Sequence, residues 1–375
     1  MNCIGIYIHV PFCIKKCNYC DFCSFTSLNK EIFYEYTEEL CRRMKDFASS
    51  KENKIRVNTV YFGGGTPTLL PTECFERLLS TLYESFCVDC DAEITVECNP
   101  ASIDLKRLCA IKKSGVNRLS IGLQSANDDE LRILGRLHTF KDFCDIYGDA
   151  RKAGFDNISV DVMYGIPEQT ADSLDKTLKE VCRLSPEHIS VYGLKIEEGT
   201  QFHKAKNLLL LPDEDTEYEM YCRCVELLKE NGYERYEISN FARKGRESQH
   251  NLRYWTLKDY VGFGVAAHSC FEGQRFGNSR DIKAFLEGKD ITEERYDISK
   301  DERLKEYVML GLRLENGLDL IEYYDISGRP FKEDFPMAER FMAAGFLKEK
   351  DGRIAFSTKG FFVSNTILSQ MLSFG

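Results

Sequence analysis

Residues 5–20 read Gly5-Ile6-Tyr7-Ile8-His9-Val10-Pro11-Phe12-Cys13-Ile14-Lys15-Lys16-Cys17-Asn18-Tyr19-Cys20, a β-branched and aromatic run followed by three cysteines at C-x3-C-x2-C. The run predicts a strand, with the cysteines in the loop after it. Five later runs repeat the strand pattern: NTVYF, EITVEC, RLSIGL, NISVDVMY and HISVYGL. Between them lie EIFYEYTEELCRRMKDF, TECFERLLSTLYESF, LKRLCAIKKSG and DSLDKTLKEVCRLS, whose apolar residues recur every three or four positions, as on amphipathic helices. Strand and helix in alternation predict parallel β/α units. Six units rather than eight predict an α/β fold, an incomplete (β/α)6 barrel with an open side over residues 1–235. A two-domain parallel sheet is the competing arrangement.

The chemistry-bearing residues share one placement. The cysteines follow the first strand, Gly63-Gly64-Gly65-Thr66-Pro67 follows the second, and Glu97-Cys98-Asn99-Pro100 closes the third. The fourth runs into Gln124-Ser125, the fifth carries Asp161 and the sixth Tyr192. In a β/α barrel the C-terminal strand ends converge on one face and build the active site there. Six strand ends with polar or glycine-rich chemistry therefore predict a single shared site.

The 375 residues carry a formal charge of −10, with 43% hydrophobic and 29% charged residues. This is the composition of a globular protein with a sizeable core, and its acidic balance argues against nucleic acid as a partner. The N-terminal stretch lacks the pattern of a secretory signal, and no run reaches the ~18 apolar residues of a spanning helix, so a cytoplasmic location is expected. Sixteen cysteines in such a chain are expected to be reduced thiols rather than a disulfide framework. Cys41, Cys109, Cys182, Cys222 and Cys224 fall in helical patterns and are expected to be small buried apolar side chains.

Three thiolates at C-x3-C-x2-C, in a loop with Lys15, Lys16 and Asn18, leave two chemistries open. A structural zinc ion normally closes with a fourth ligand. A four-iron, four-sulfur cluster on three thiolates leaves one iron free to bind a small molecule. Cys23, three residues beyond Cys20, has a role that spacing alone does not decide.

C-x3-C-x2-C with Tyr19 before the last cysteine resembles the radical S-adenosylmethionine superfamily. In that superfamily S-adenosylmethionine chelates the open iron, and one electron from the cluster cleaves its sulfonium to a 5′-deoxyadenosyl radical. YIHVPFCIKKCNYCDF, YFGGGTPTLL, VECNP, GVNRLSIGLQS, LGRLH, DVMYGIPEQT and HISVYGLKIEEGTQF follow one another as in its coproporphyrinogen oxidase-like branch, over nearly the whole chain. The resemblance implies a 4Fe-4S cluster on Cys13, Cys17 and Cys20, with Cys23 a spectator. It also implies an S-adenosylmethionine pocket lined by Tyr7, Gly64, Gly65, Thr66, Glu97, Gln124, Arg136 and Asp161. Arg136 suits the methionyl carboxylate, and Glu97 and Asp161 suit the amino group and ribose hydroxyls. The alternative for these charged residues is a structural ion-pair set at a barrel rim.

From about residue 236 the β/α rhythm stops, and residues 236–375 are expected to form a smaller, mostly helical, winged-helix-like domain. His250-Asn251-x-x-Tyr254-Trp255 includes the only tryptophan. On residue types alone, a hydrogen-bonded histidine beside a core tryptophan is the simpler account. HNxxYW, however, resembles the motif of the HemW-type heme chaperones of this branch, which implies heme as a third bound group and His250 as its ligand. That resemblance implies a carrier handing heme to client hemoproteins, those of the respiratory chain among them. The alternative is an oxygen-independent coproporphyrinogen III oxidase. Twelve residues precede Cys13, where the oxidases carry a longer arm, and Cys20-Asp21-Phe22-Cys23 stands in place of their C-x-C. No catalytic residue is assigned, and peripheral membrane contact and a homodimer are left open. Gly262-Phe263-Gly264-Val265-Ala266-Ala267 imitates a dinucleotide-binding turn without the β/α unit that gives the pattern meaning, and His268 is read as structural. SKDERLKEYVMLGLRL and KEDFPMAERFMAAG read as helices, and Asp351-Gly352 marks a hairpin. Mixed charges in this last stretch favour a lid or docking role over DNA binding.

Overall fold

The computed structural model describes residues 3–26 and 29–372. The six expected strands form as β1 (Ile4–Val10), β2 (Arg56–Gly64), β3 (Cys87–Cys98), β4 (Arg118–Gln124), β5 (Ile158–Tyr164) and β6 (His188–Gly193). They lie side by side in sequence order and parallel. Helices α1 (Lys30–Ser49), α2 (Thr72–Ser85), α3 (Leu105–Lys113), α4 (Asp128–Leu134), α5 (Phe140–Lys152) and α6 (Ala171–Leu184) return the chain between them. Most of these helices have a side-chain cap: Asn29, Asp104, Asn127, Thr139 and Thr170 each accept a backbone N–H of the first turn.

Successive strand residues face two environments. Ile4, Ile6, Ile8 and Val10 of β1, Leu119, Ile121 and Leu123 of β4, and Ile158, Val160 and Val162 of β5 are buried in the main apolar core. The residues between them do the opposite. Arg118, Ser120, Gly122 and Gln124, then Ser159, Asp161 and Met163, then His188, Ser190 and Tyr192 line an interior cavity. The sheet thus has an apolar outer face and a polar inner one, as a partial barrel with a functional lumen requires.

The sheet continues beyond the β/α repeats. Strands β7 (Glu234–Arg235), β8 (Asn240–Ala242), β9 (Tyr260–Phe263), β10 (His268–Phe271), β11 (Gln274–Asn278) and β12 (Thr292–Asp297) extend both of its edges. Its order is β12-β11-β10-β9-β1-β2-β3-β4-β5-β6-β8-β7. β9 pairs parallel to β1, from Gly5 opposite Tyr260 to Ile8 opposite Phe263, and β8 pairs antiparallel to β6. Gly262–Ala267 therefore spans the end of β9 and the turn into antiparallel β10, with no β/α unit around it. His268 is exposed, its Nδ1 3.5 Å from Glu294 Oε1 on β12.

A second apolar core gathers Val308, Leu312, Leu318, Tyr323, Phe331, Ile354, Phe356 and Phe361, and takes in Tyr221 from the helix Glu214–Glu230. Its small sheet runs β13 (Leu318–Asp319), β15 (Arg353–Phe356), β14 (Leu347–Lys350). The β14–β15 hairpin turns on Asp351 and Gly352, both at positive φ (52° and 72°), as a two-residue primed turn demands. Among the described residues no helix is long and apolar enough to cross a membrane.

One expectation about the cysteines is corrected. Cys41 and Cys224 are buried and Cys182 and Cys222 half-buried, but Cys109 is exposed. The nine-residue α3 buries only Leu108 and Ile111, and Cys109, one step round the helix from Leu108, faces solvent.

Candidate functional site

The cysteine loop is irregular but tied down on several sides. Cys13 N donates to Phe25 O (3.0 Å) and Phe25 N to Pro11 O (2.7 Å), which closes the loop as a lasso. At its neck Phe12 is fully buried, edge-on to Phe33 and Tyr36. The glycine turn after β2 zips onto the same neck, Gly65 N donating to Val10 O (2.9 Å) and Thr66 N to Phe12 O (2.7 Å). Across the loop, Asn18 donates through its main chain to Leu134 O (3.0 Å) and through Nδ2 to Ile133 O (2.8 Å), and its carbonyl accepts from Phe202 N (2.9 Å).

Cys13, Cys17 and Cys20 line one cavity of about 410 Å³. Thr66 Oγ1 lies 3.6 Å from Cys13 Sγ, and Arg136 Nη1 3.7 Å from Cys17 Sγ. Burial raises the Cys13 thiol and pushes Cys20 up to about 11, so both stay protonated until a cation takes the proton's place. Cys23 is buried outside this lining, and its carbonyl accepts from His9 Nε2 (2.9 Å).

Gly64, Gly65, Thr66, Glu97, Gln124, Arg136 and Asp161 line the same cavity. Tyr7 does not: its ring stacks on Tyr61 (6.2 Å between centroids) and its hydroxyl donates to His9 Nδ1 (3.1 Å). It stands behind the wall and orients the histidine that holds Cys23. Gly64 has φ 107°, and a Cβ there would fall 2.3 Å from the His9 ring, so this turn needs glycine. Gln124 sits at φ 77° where the β4–β5 register shifts, a backbone strain of the kind that clusters at ligand sites. Arg136 Nη2 donates to Gly122 O (2.6 Å), its buried Nε has no partner, and among the described residues no acidic side chain pairs with it. Asp161 accepts from Ser120 Oγ (3.1 Å). Three thiols, an acid-free guanidinium and two carboxylates around one cavity fit a thiolate-held cluster beside a zwitterionic ligand.

Glu97 accepts from Tyr61 OH (3.0 Å) and Gly64 N (3.1 Å), yet burial first, and the charge of Asp161 second, push its carboxyl up to about 7. A carboxyl higher in the fold than its ordinary 4.5 binds its proton more tightly when folded, so ionising it destabilises the protein as pH rises from that value through 7. The ligand-free protein is therefore expected to lose about 2–3 kcal/mol between pH 5 and 8 through Glu97. Glu97→Gln should remove this loss, leaving the variant the more stable at pH 8; parallel melting curves across that range would contradict it.

The helix Gln249–Trp255 is anchored at the N-terminal ends of the strands. Glu93 accepts from Gln249 N (3.1 Å) and His250 N (3.0 Å), and Arg253 donates to Asn58 Oδ1 (2.6 Å) and Cys3 O (2.7 Å). His250 is 1% exposed and both of its nitrogens are engaged, Nδ1 with Thr59 Oγ1 (3.0 Å) and Nε2 with Tyr254 OH (2.8 Å). Its ring stacks on Tyr61 (5.3 Å). Burial, with Arg253 and Arg118 adding, lowers it to about 3, so it is neutral. A second cleft, about 540 Å³, borders this helix, lined by Tyr254, Trp255, Tyr260, Met309, Leu310 and Arg313 together with Glu237, Asn240, Arg275 and Glu306 among others. Tyr192 and Asn251 line both spaces, whereas His250 lines neither.

Sequence reading missed the floor of the lumen. Arg118 is 2% exposed with Nε unpartnered, and His188, held between Ser159 Oγ (2.7 Å) and Tyr236 OH (2.8 Å), stands with it. The signal was the period-two polar stripe of Arg118-x-Ser120-x-Gly122-x-Gln124 and His188-x-Ser190-x-Tyr192 within strands that otherwise read as apolar.

Two family models match the chain, the Radical SAM superfamily over residues 7–181 and the HemN C-terminal domain over residues 298–363. The heme chaperone HemW of Bacillus subtilis is 33% identical over 377 aligned positions, covering 98% of this chain and 98% of that protein. The heme chaperone HemW of Escherichia coli is 30% identical, covering 99% and 98%. The structure of the radical SAM enzyme coproporphyrinogen III oxidase, HemN, from Escherichia coli superposes with a TM-score of 0.87 at 24% identity, over 100% of this chain and 91% of that one, a likeness of fold.

Proposed function

We propose, from the premise that this chain belongs to the HemW family of the radical SAM superfamily, that it is a cytoplasmic heme chaperone that passes heme to client apoproteins. In this reading Cys13, Cys17 and Cys20 hold a 4Fe-4S cluster and the adjoining cavity takes S-adenosylmethionine. When bound, the cluster supplies a single electron and an open iron for that ligand. The protein's own residues bind and orient. Arg136 offers its guanidinium to a carboxylate, Glu97 and Asp161 accept from amino and hydroxyl groups, and the Gly64-Gly65 turn brings backbone close to the ligand.

The observation that carries the reading is the second cleft. Its lining sets Tyr254, Trp255, Tyr260, Met309 and Leu310 beside Arg313 and Lys258, which suit propionate groups, and beside Glu237 and the ion pair of Arg275 with Glu306, and it meets the thiol-lined cavity at Tyr192 and Asn251. A planar, amphiphilic macrocycle suits such a lining better than a small polar substrate does.

The test sets carrier against enzyme. Anaerobically reconstituted protein is expected to bind heme tightly, and to leave coproporphyrinogen III unchanged with S-adenosylmethionine and reductant present. Porphyrin formed over many turnovers would make the protein an oxidase instead.

A further inference from the structure

Arg118 leaves a positive charge buried at the floor of the lumen without a counter-charge. The residue is 2% exposed and lines the cavity, its Nε has no partner, and among the described residues no acidic side chain is in ion-pair contact with it. The groups around it are already committed. His188 is kept neutral by burial and is engaged by Ser159 and Tyr236, and the Tyr61 hydroxyl donates to Glu97. Asp161 feels the guanidinium through space but accepts its hydrogen bonds from Ser120 and Ser190. A guanidinium taken out of water destabilises the fold unless an anion meets it, so a lumen that keeps one at its floor lacks an anion there.

Arg136 is a separate anchor at the cysteine end. Its Nη2 is tied to Gly122 O, and Gly122 lies four residues, about 13 Å of strand, beyond Arg118. Between the two the lumen is layered, Ser120 beside Ser159 and His188, then Gly122 beside Asp161 and Ser190. The two guanidinium groups therefore serve different depths. We propose that Arg118 forms a second anion subsite, which takes the carboxylate of a small organic monocarboxylic acid below the depth that Arg136 serves. The planar guanidinium fork matches the two oxygens of a carboxylate. One unpaired guanidinium with Asp161 close by suits a single negative charge and repels a dianion such as phosphate. The subsite requires only the lumen itself and so goes beyond the heme and S-adenosylmethionine readings.

Cluster-reconstituted full-length protein, saturated with S-adenosylmethionine and titrated with acetate at constant ionic strength in a calorimeter, tests this. Wild type is expected to bind one acetate, to ignore the neutral isostere acetamide, and to bind inorganic phosphate more weakly than acetate. Arg118→Gln should weaken acetate binding about tenfold or more, the loss expected for a charge-assisted hydrogen bond, while S-adenosylmethionine binding stays at its wild-type value. Arg118→Lys, which keeps the charge and loses the fork, should lie between the two. Without ligand, Arg118→Gln should melt no lower than wild type, because it removes an unpaired buried charge; a guanidinium that only packs the floor would lower the melting temperature when lost. Acetate that fails to bind wild type, or binds Arg118→Gln equally well, would overturn the proposal. So would acetate that S-adenosylmethionine displaces, since that would place it at Arg136. If Arg118→Gln does not fold, Arg118→Lys and the wild-type contrast of acetate with acetamide decide the matter. Protein that binds acetate at Arg118 but no S-adenosylmethionine would retire the S-adenosylmethionine reading and leave this subsite in place.

Discussion

Alanine in place of Cys13, Cys17 or Cys20 should leave the anaerobically reconstituted protein with about a tenth or less of its iron and sulfide and without the broad visible absorbance of a cluster, whereas Cys23→Ala should reconstitute as wild type does. All four thiols lie within eleven residues, so the contrast is structural rather than compositional. Three line the cavity, while Cys23 is buried on the far side of the loop, its carbonyl fixed by His9. A cluster on three thiolates keeps one iron open, and recruiting a fourth would close the position that S-adenosylmethionine needs. Equal loss of iron in the Cys23 variant would refute the three-ligand assignment.

Phe12→Ala should cost about 3–5 kcal/mol, as for other fully buried phenylalanines, and should impair cluster assembly as well. The ring packs edge-on against Phe33 and Tyr36, and its main chain receives Thr66 N at the point where the cysteine loop closes. A cavity there loosens both the loop and the glycine turn. Phe361→Ala is the control: this ring is equally buried, in the C-terminal core under the Arg235 guanidinium (4.1 Å), and should lower stability while cluster content is kept. Thermal unfolding together with iron analysis separates the two effects. A Phe12 variant that takes up a full cluster would show that the neck of the loop does not position the thiols.

Much of this was legible in residues and spacing. The six β/α strands, the Asp351-Gly352 turn and the convergence of strand-end chemistry follow from local pattern, because pleat and turn geometry are each set by a few neighbouring residues. What escaped was non-local. β9 joins β1 from about 250 residues away, and no local signal announces a partner at that distance. The β/α rhythm stops near residue 236, yet strands up to Asp297 still build the main sheet, and the second core joins residues after Lys300 to Tyr221 of the helix Glu214–Glu230. Arg118 was passed over because a strand begins with it, and only its neighbours across β5 and β6 show that it points into a lumen. HNxxYW points to His250 as a heme ligand, but the structure engages its ring with Thr59, Tyr61 and Tyr254, and the first two contacts depend on a strand almost 200 residues earlier in the chain.

The β1–β9 pairing also sets an order of events during synthesis. β1 and β2 are complete about 200 residues before Tyr260 is made, which at ~5–20 residues per second is an interval of roughly 10–40 s. Throughout it, the strand that carries the cysteine loop has one paired edge and one bare edge, the kind of edge that recruits stray strands. The nascent chain is thus prone to mispairing beside the loop that carries the three cavity-lining thiols, and slowed translation between residues 64 and 260 should lower the yield of soluble protein.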